Sequence, residues 1–199
     1  MRLHVPLDDL LTGSANLRAL RWLVRNEGRQ FTGRELAGGA RLSPSQAQTA
    51  LLELERQGMA HRRVVGRSFL WRLEDRNELL RALKELLTTE EGLMDALGRE
   101  IAGALQRTPA TRATLFGSTV RGEERPDSDI DLWVEVPRES DKPRMEEALF
   151  RLRDRIGARF GNPLSSFVKS HEELEHPASP SLLEEVRGHG RLVFERGSG

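Results

Sequence analysis

The 199-residue chain has no cysteine, which excludes disulfides and thiolate metal sites. It also lacks any apolar run near the roughly 18–20 residues that span a bilayer. The opening residues, MRLHVPLDDLLTGS, do not contain the apolar stretch of a signal peptide. These absences lead to the expectation of a cytoplasmic protein. Lysine is scarce: of 31 basic residues, only Lys84, Lys142 and Lys169 are lysines, a bias that GC-rich coding accounts for as well as function does. Net charge is absent too, with 31 basic residues against 31 acidic ones. What the chain does have is charge in quantity, 31% of residues against 37% hydrophobic, and enough length for one ordinary domain or two small ones. That charge is unevenly placed. Residues 1–75 carry 12 Lys/Arg and 8 Asp/Glu, a net of +4, and residues 76–199 carry the balancing −4. A basic front and an acidic back point to two modules with different partners.

The front module reads as three helices and a hairpin. NLRALRWLVRN places Leu17, Leu20, Trp22, Leu23 and Val24 at near-helical spacing, and Glu27-Gly28 ends the run. In FTGREL, Thr32 is placed to cap a second helix, with Glu35 completing a capping box. In SPSQAQTALLELERQG, Ser43 is the N-cap, Pro44 suits the first helical position, Gln46 closes the box and Gly58 stops the helix. AHRRVVGRSFLWRLE then offers two short strands around Gly66-Arg67-Ser68.

The layout over 12–75 resembles the winged helix-turn-helix of MarR- and ArsR-like DNA-binding domains, with LSPSQAQTALLELERQGMAHRR similar to a recognition helix running into its wing. Ala47, Ala50, Leu51 and Leu54 form the stripe to be buried. Ser45, Gln46, Gln48 and Thr49 face outward near the helix start, as short hydrogen-bonding side chains of the kind that read base edges. Arg62, Arg63 and Arg67 are then candidates for phosphate contacts on double-stranded DNA. The plainer explanation is that Ser and Gln at a helix start are expected from capping alone, and winged helices also serve in protein contacts. A single recognition helix reads few base pairs, so a homodimer on a palindrome is expected.

Residues 76–89 read as a helical connector, amphipathic and broken near Thr88-Thr89, with Thr89 half-capping the next helix. The back module, 90–196, centres on LFGSTVRGEERPDSDIDLWVEV. A short apolar strand ends at Gly117-Ser118, where glycine permits close backbone approach and a helix start offers free N–H groups to a phosphate. On the following strand Asp129, Asp131, Trp133 and Glu135 share one face, and Ile130, Leu132, Val134 and Val136 the other. Two aspartates so spaced offer hard oxygen ligands to Mg²⁺.

GSTVRGEERPDSDIDL is similar to the GSxxRGxxxxxSD(I)D(L) signature of minimal nucleotidyltransferases in the DNA polymerase β-like superfamily. The resemblance implies that Gly117, Ser118 and Arg121 serve the nucleotide and that Ser128 orients the loop. It makes Asp129 and Asp131 the catalytic metal ligands, holding Mg²⁺ or Mn²⁺ with an NTP. The implied fold class is α+β overall, a small mixed sheet flanked by helices following the winged helix. The resemblance also implies a third carboxylate on a later strand to share a metal and help deprotonate the acceptor. In NPLSSFVKS, Ser165 stands where that acid is expected. Glu135 lies roughly 13 Å along the strand from Asp131. Glu172 and Glu173 are explained by a capping box from Ser170, and His171 by an ordinary surface position. Two functions remain open: a DNA-binding regulator that binds Mg-NTP with weak or no transfer, and an active transferase acting on a protein, RNA or small molecule. Minimal nucleotidyltransferases that act as antitoxins AMPylate a partner toxin, so a toxin-like protein belongs to the second.

Overall fold

The computed structural model describes residues 15–123, 125, 127–177 and 179–197. They fall into two compact units, one ending at Glu91 and the other beginning at Gly92.

The first unit contains α1 (Ala15–Arg25), α2 (Gly33–Gly39), α3 (Pro44–Arg56), the hairpin β1 (Ala60–Val65) and β2 (Ser68–Leu73), and α4 (Glu78–Glu91). Both expected capping boxes form: Thr32 with Glu35, and Ser43 with Gln46. A cap of this kind contributes about 1 kcal/mol. At the end of α2, Gly39 lies so close to Trp22 that any Cβ would overlap the indole. The alternating strands pair antiparallel from Ala60↔Leu73 to Val65↔Ser68. Phe31 extends the hairpin through reciprocal backbone bonds with Trp71 at 3.0 and 2.8 Å. Leu17, Leu20, Leu23, Leu36, Ala47, Ala50, Leu51, Leu54 and Trp71 fill the core. The unit is a winged helix-turn-helix in architecture.

The stretch read as a connector behaves differently. The helix continues through Thr88 and Thr89 to Glu91 and breaks at Gly92. Thr89 does not cap: its hydroxyl donates back to the Glu85 carbonyl at 2.9 Å, a bond available inside a helix. Leu80 and Leu87 are buried in the first unit's core. At the far end of α4, Glu90 accepts from Arg21 Nε and Nη2 at 2.7 and 2.8 Å in a buried, two-pronged ion pair. Losing one partner of a buried pair typically costs about 3–5 kcal/mol, so α4 is fastened to α1.

The second unit runs α5 (Leu93–Leu105), β3 (Arg112–Phe116), α6 (Ser118–Arg121), β4 (Ile130–Val136), a 3₁₀ turn, α7 (Lys142–Phe160), β5 (Leu164–Ser170), α8 (His171–Glu175), α9 (Pro180–His189) and β6 (Arg191–Glu195). The sheet order is β5-β4-β3-β6, with β4 and β5 parallel and the other pairs antiparallel. This is the mixed sheet expected of an α+β fold. One sheet face, with Ala113, Leu115, Ile130, Leu132, Val134 and Leu164, packs on Leu97, Ile101, Leu149, Leu152 and Ile156 of α5 and α7. Burying each such side chain is worth about 1.5–3 kcal/mol. On the other face, α9 sets Leu183 and Val186 on Phe116 and Trp133. Trp133, expected among the site-facing residues of β4, is therefore core, and its indole N–H has no hydrogen-bond partner among the described residues.

Candidate functional site

The acidic stretch and the glycine turn meet at one end of the sheet. Antiparallel register sets Phe116 opposite Asp131, and the chain turns at the next residue, Gly117. Gly117 has φ 76° and ψ −159°, a region open essentially to glycine alone. A Cβ there would overlap Asp131 Oδ2 and sit 3.3 Å from its Cγ. Ser118 opens α6 and Arg121 closes it. Asp129 precedes β4 and is exposed, and Asp131 is half-buried.

The loop carrying the aspartates is held by neighbours. Ser128 Oγ accepts from the Arg125 N–H at 2.8 Å. Asn162, buried at the start of β5, donates from Nδ2 to the Ser128 carbonyl at 2.6 Å. The buried Thr119 hydroxyl donates to the Asp129 carbonyl at 3.3 Å. Neither Asn162 nor Thr119 stands out in the sequence, because each acts on backbone that only the fold brings near.

Charge at this end is crowded. Burial, then the charges of Asp129 and Glu185, push the Asp131 carboxyl above the usual carboxylate range, and Arg121 opposes them. Arg121 Nε donates to Glu123 Oε2 at 2.9 Å, and its Nη1 donates to Glu185 Oε1 of α9. These two bonds hold the guanidinium in its charged form. Glu185 was not singled out from sequence, and it lies 64 residues from Arg121.

On the parallel strand β5, Ser165 is the register partner of Asp131, so the two side chains leave the same face of the sheet. Glu135 pairs with Lys169 at the opposite end. His171 is there as well, its Nε2 3.2 Å from Thr111 Oγ1. Glu173 closes the Ser170 capping box of α8, accepting from the Ser170 N–H, and binds Lys142 and Lys169 at 3.0 and 2.9 Å. Among the described residues, no three Asp, Glu or His side chains gather closely enough to hold a metal ion.

In the first unit, Ser45, Gln46, Gln48 and Thr49 are exposed on α3. Gln46 Oε1 is already engaged by the Ser43 N–H at 3.0 Å. Gln48 lines a cleft of about 430 Å³ with Thr32, Gly33, Arg34, Ser68, Phe69 and Trp71. Arg34, not picked out beforehand, thus joins the candidate face. The wing arginines divide. Arg67 is exposed at the hairpin turn, and Arg63 donates to Gln30 Oε1 at 3.2 Å. Arg62 pairs with Glu55 at 3.1 Å and lies over Phe69 and Trp71, 4.9 and 5.8 Å from the ring centroids. Strand alternation puts it on the Trp71 side, where it closes the hairpin on α3.

Residues 99–176 match the model of the nucleotidyltransferase domain family. The matched stretch lies within the second unit. The match includes the Gly117 turn, both aspartates and Ser165, and ends before α9 and Glu185. No curated protein matches the chain. Among solved structures, a mutant of ZitR from Lactococcus lactis aligns at 22% identity over 45% of this chain and 60% of that one, with a TM-score of 0.36. The MarR family transcriptional regulator SPO1453 from Silicibacter pomeroyi DSS-3 aligns at 21% identity over 51% and 74%, with a TM-score of 0.39. A toxin–antitoxin complex with AMP-PNP aligns at 19% identity over 50% and 73%, with a TM-score of 0.37. This chain therefore covers less than two thirds of the ZitR chain it matches. Among the described residues, no helix is long and apolar enough to cross a membrane.

Proposed function

We propose that the chain is a DNA-binding regulator whose nucleotidyltransferase domain takes up Mg-NTP with little or no transfer. The observation that carries this reading is the register of Asp131 with Ser165. The strand beside the acidic pair offers a hydroxyl where the transfer reaction calls for a carboxylate, and a serine is neither a strong Mg²⁺ ligand nor a base at neutral pH.

Two carboxylates could share a divalent cation here, with the triphosphate supplying the oxygens that a third protein acid does not. Asp129 and Asp131 supply hard carboxylate oxygens, and their crowding with Glu185 leaves negative charge for a cation to neutralise. Bound there, Mg²⁺ or Mn²⁺ would offset the charge of the triphosphate. Around it, the Gly117 turn brings backbone to within contact of Asp131, Ser118 adds a hydroxyl, and Arg121 supplies a guanidinium. Ser128, Asn162 and Thr119 keep the loop in place. An acceptor hydroxyl would find no base on β5, and general-base help is typically worth about 10²–10⁴-fold. In the first unit, α3 would enter a major groove, with Gln48 and Thr49 at base edges and Arg34, Arg63 and Arg67 at phosphates.

The second reading, an active transferase modifying a protein such as a toxin-like partner, an RNA or a small molecule, draws on Glu185, whose charge is felt at Asp131. Labelled NTPs with Mg²⁺ or Mn²⁺ separate the two. The regulator reading expects Mg²⁺-dependent binding that Asp129→Ala and Asp131→Ala abolish, near-absent label transfer in the wild type, and a gain on Ser165→Asp. Efficient wild-type transfer, indifferent to changes at Ser165, would overturn it.

A further inference from the structure

Glu185 reaches the site from beyond the matched stretch, so no family role comes with it. Its helix is fixed on the sheet by Leu183 and Val186, which sit on Phe116 and Trp133. Glu185, between them in sequence, leaves the helix on a flank from which it contacts Arg121 of α6. Arg121 closes α6, the short helix that follows the Gly117 turn beside Asp131. Its planar fork suits carboxylate and phosphate oxygens alike. Two carboxylates already occupy that fork, Glu123 at Nε and Glu185 at Nη1.

We propose that Glu185 is a positioning residue that occupies Arg121 in place of a phosphate, so that an incoming nucleoside triphosphate must displace it. The inference rests on the nucleotide site proposed above. Two observations support exchange over permanent pairing. The side chains of Arg121 and Glu185 are 41% and 35% exposed, and ion pairs so open to water are weak. The same carboxylate is negative and lies against the helix that follows the Gly117 turn, where a polyanion has to bind, so it opposes the ligand twice, by holding the guanidinium and by repulsion. Glu123 sets how Arg121 points without reaching α9. A nucleotide that captures Arg121 therefore also releases the tether between α9 and α6, leaving α9 held by its apolar contacts.

Calorimetric titration of the full chain with ATP and Mg²⁺ tests this. Glu185→Gln keeps the shape and removes the charge, and is expected to tighten ATP binding by roughly fivefold, the size of one exposed ion pair. In an Arg121→Ala background the same change should alter affinity much less, because there is no guanidinium to free. A merely structural Glu185 would not give that dependence. Weaker binding in Glu185→Gln would overturn the proposal and make Glu185 a carboxylate that serves the metal or the acceptor. An equal gain with and without Arg121 would overturn it in favour of plain repulsion. If Asp131→Ala binds ATP as well as the wild type does, or if no variant binds ATP at all, the nucleotide site itself fails and this proposal falls with it.

Discussion

A methyl group at Gly117 would have to share space with the Asp131 carboxylate, in a backbone conformation that L-residues avoid. Gly117→Ala should therefore displace either the turn or Asp131. Calorimetry should show Mg-NTP binding weakened by about 5- to 150-fold, for a strain of order 1–3 kcal/mol. Glu173 carries a different prediction. Burial acts to raise its carboxyl, but the Ser170 N–H, Lys169 and Lys142 outweigh it and bring it from 4.5 down to about 2. A group lowered in the folded state contributes stability in full above about 4.5, and that contribution fades as pH falls toward about 2. Between those values, thermal midpoints should fall more steeply for the wild type than for Glu173→Gln. Equal slopes would show that the ion pairs do not hold α8. The glycine and the aspartates were legible because the chemistry of the motif is written within about sixteen consecutive residues. Glu185 was not, because nothing near it in sequence marks which helix flank will face Arg121.

Elements whose signals are local were read closely. The capping boxes of α2, α3 and α8 each need only a side chain three residues from the cap, and all three form. The end of α4 was misplaced because a threonine hydroxyl can either cap a helix or bond back into one, and only the structure chooses. Its tie to the first unit, Glu90 to Arg21, spans 69 residues and has no sequence pattern. The outward face of α4 is unusual: Leu79 and Leu86, two turns apart, are 58% and 44% exposed. A helix face of this kind is suited to a twin, which a winged helix would need if it reads a palindrome. Leu79→Glu with Leu86→Glu should convert a dimer to a monomer in sedimentation experiments, leaving the helical circular dichroism signal unchanged. A wild type that is already monomeric would refute this.

At the scale of the whole molecule, the uneven charge noted at the outset sorts with the two units, basic in the first and acidic in the second. If the first unit binds DNA, its affinity should fall with salt, and Arg67→Ala should flatten the log–log slope by about one unit. Arg62→Ala should act otherwise, lowering the thermal midpoint by undoing the Glu55 pair and the stacking on Phe69 and Trp71. An equal change of slope from both variants would put Arg62 back among the phosphate contacts.

Trp133 gives the second unit an optical property of its own. Of the chain's three tryptophans, Trp22 and Trp71 belong to the winged helix, so a fragment covering 92–199 emits from a single indole. That indole is walled in by Leu183 and Val186, and its N–H bonds to none of the described residues. Such a buried chromophore should fluoresce at short wavelength, and any loosening of α9 would admit water and redden its emission. The fragment is thus a dye-free gauge of α9, whose colour reports whether that helix is seated.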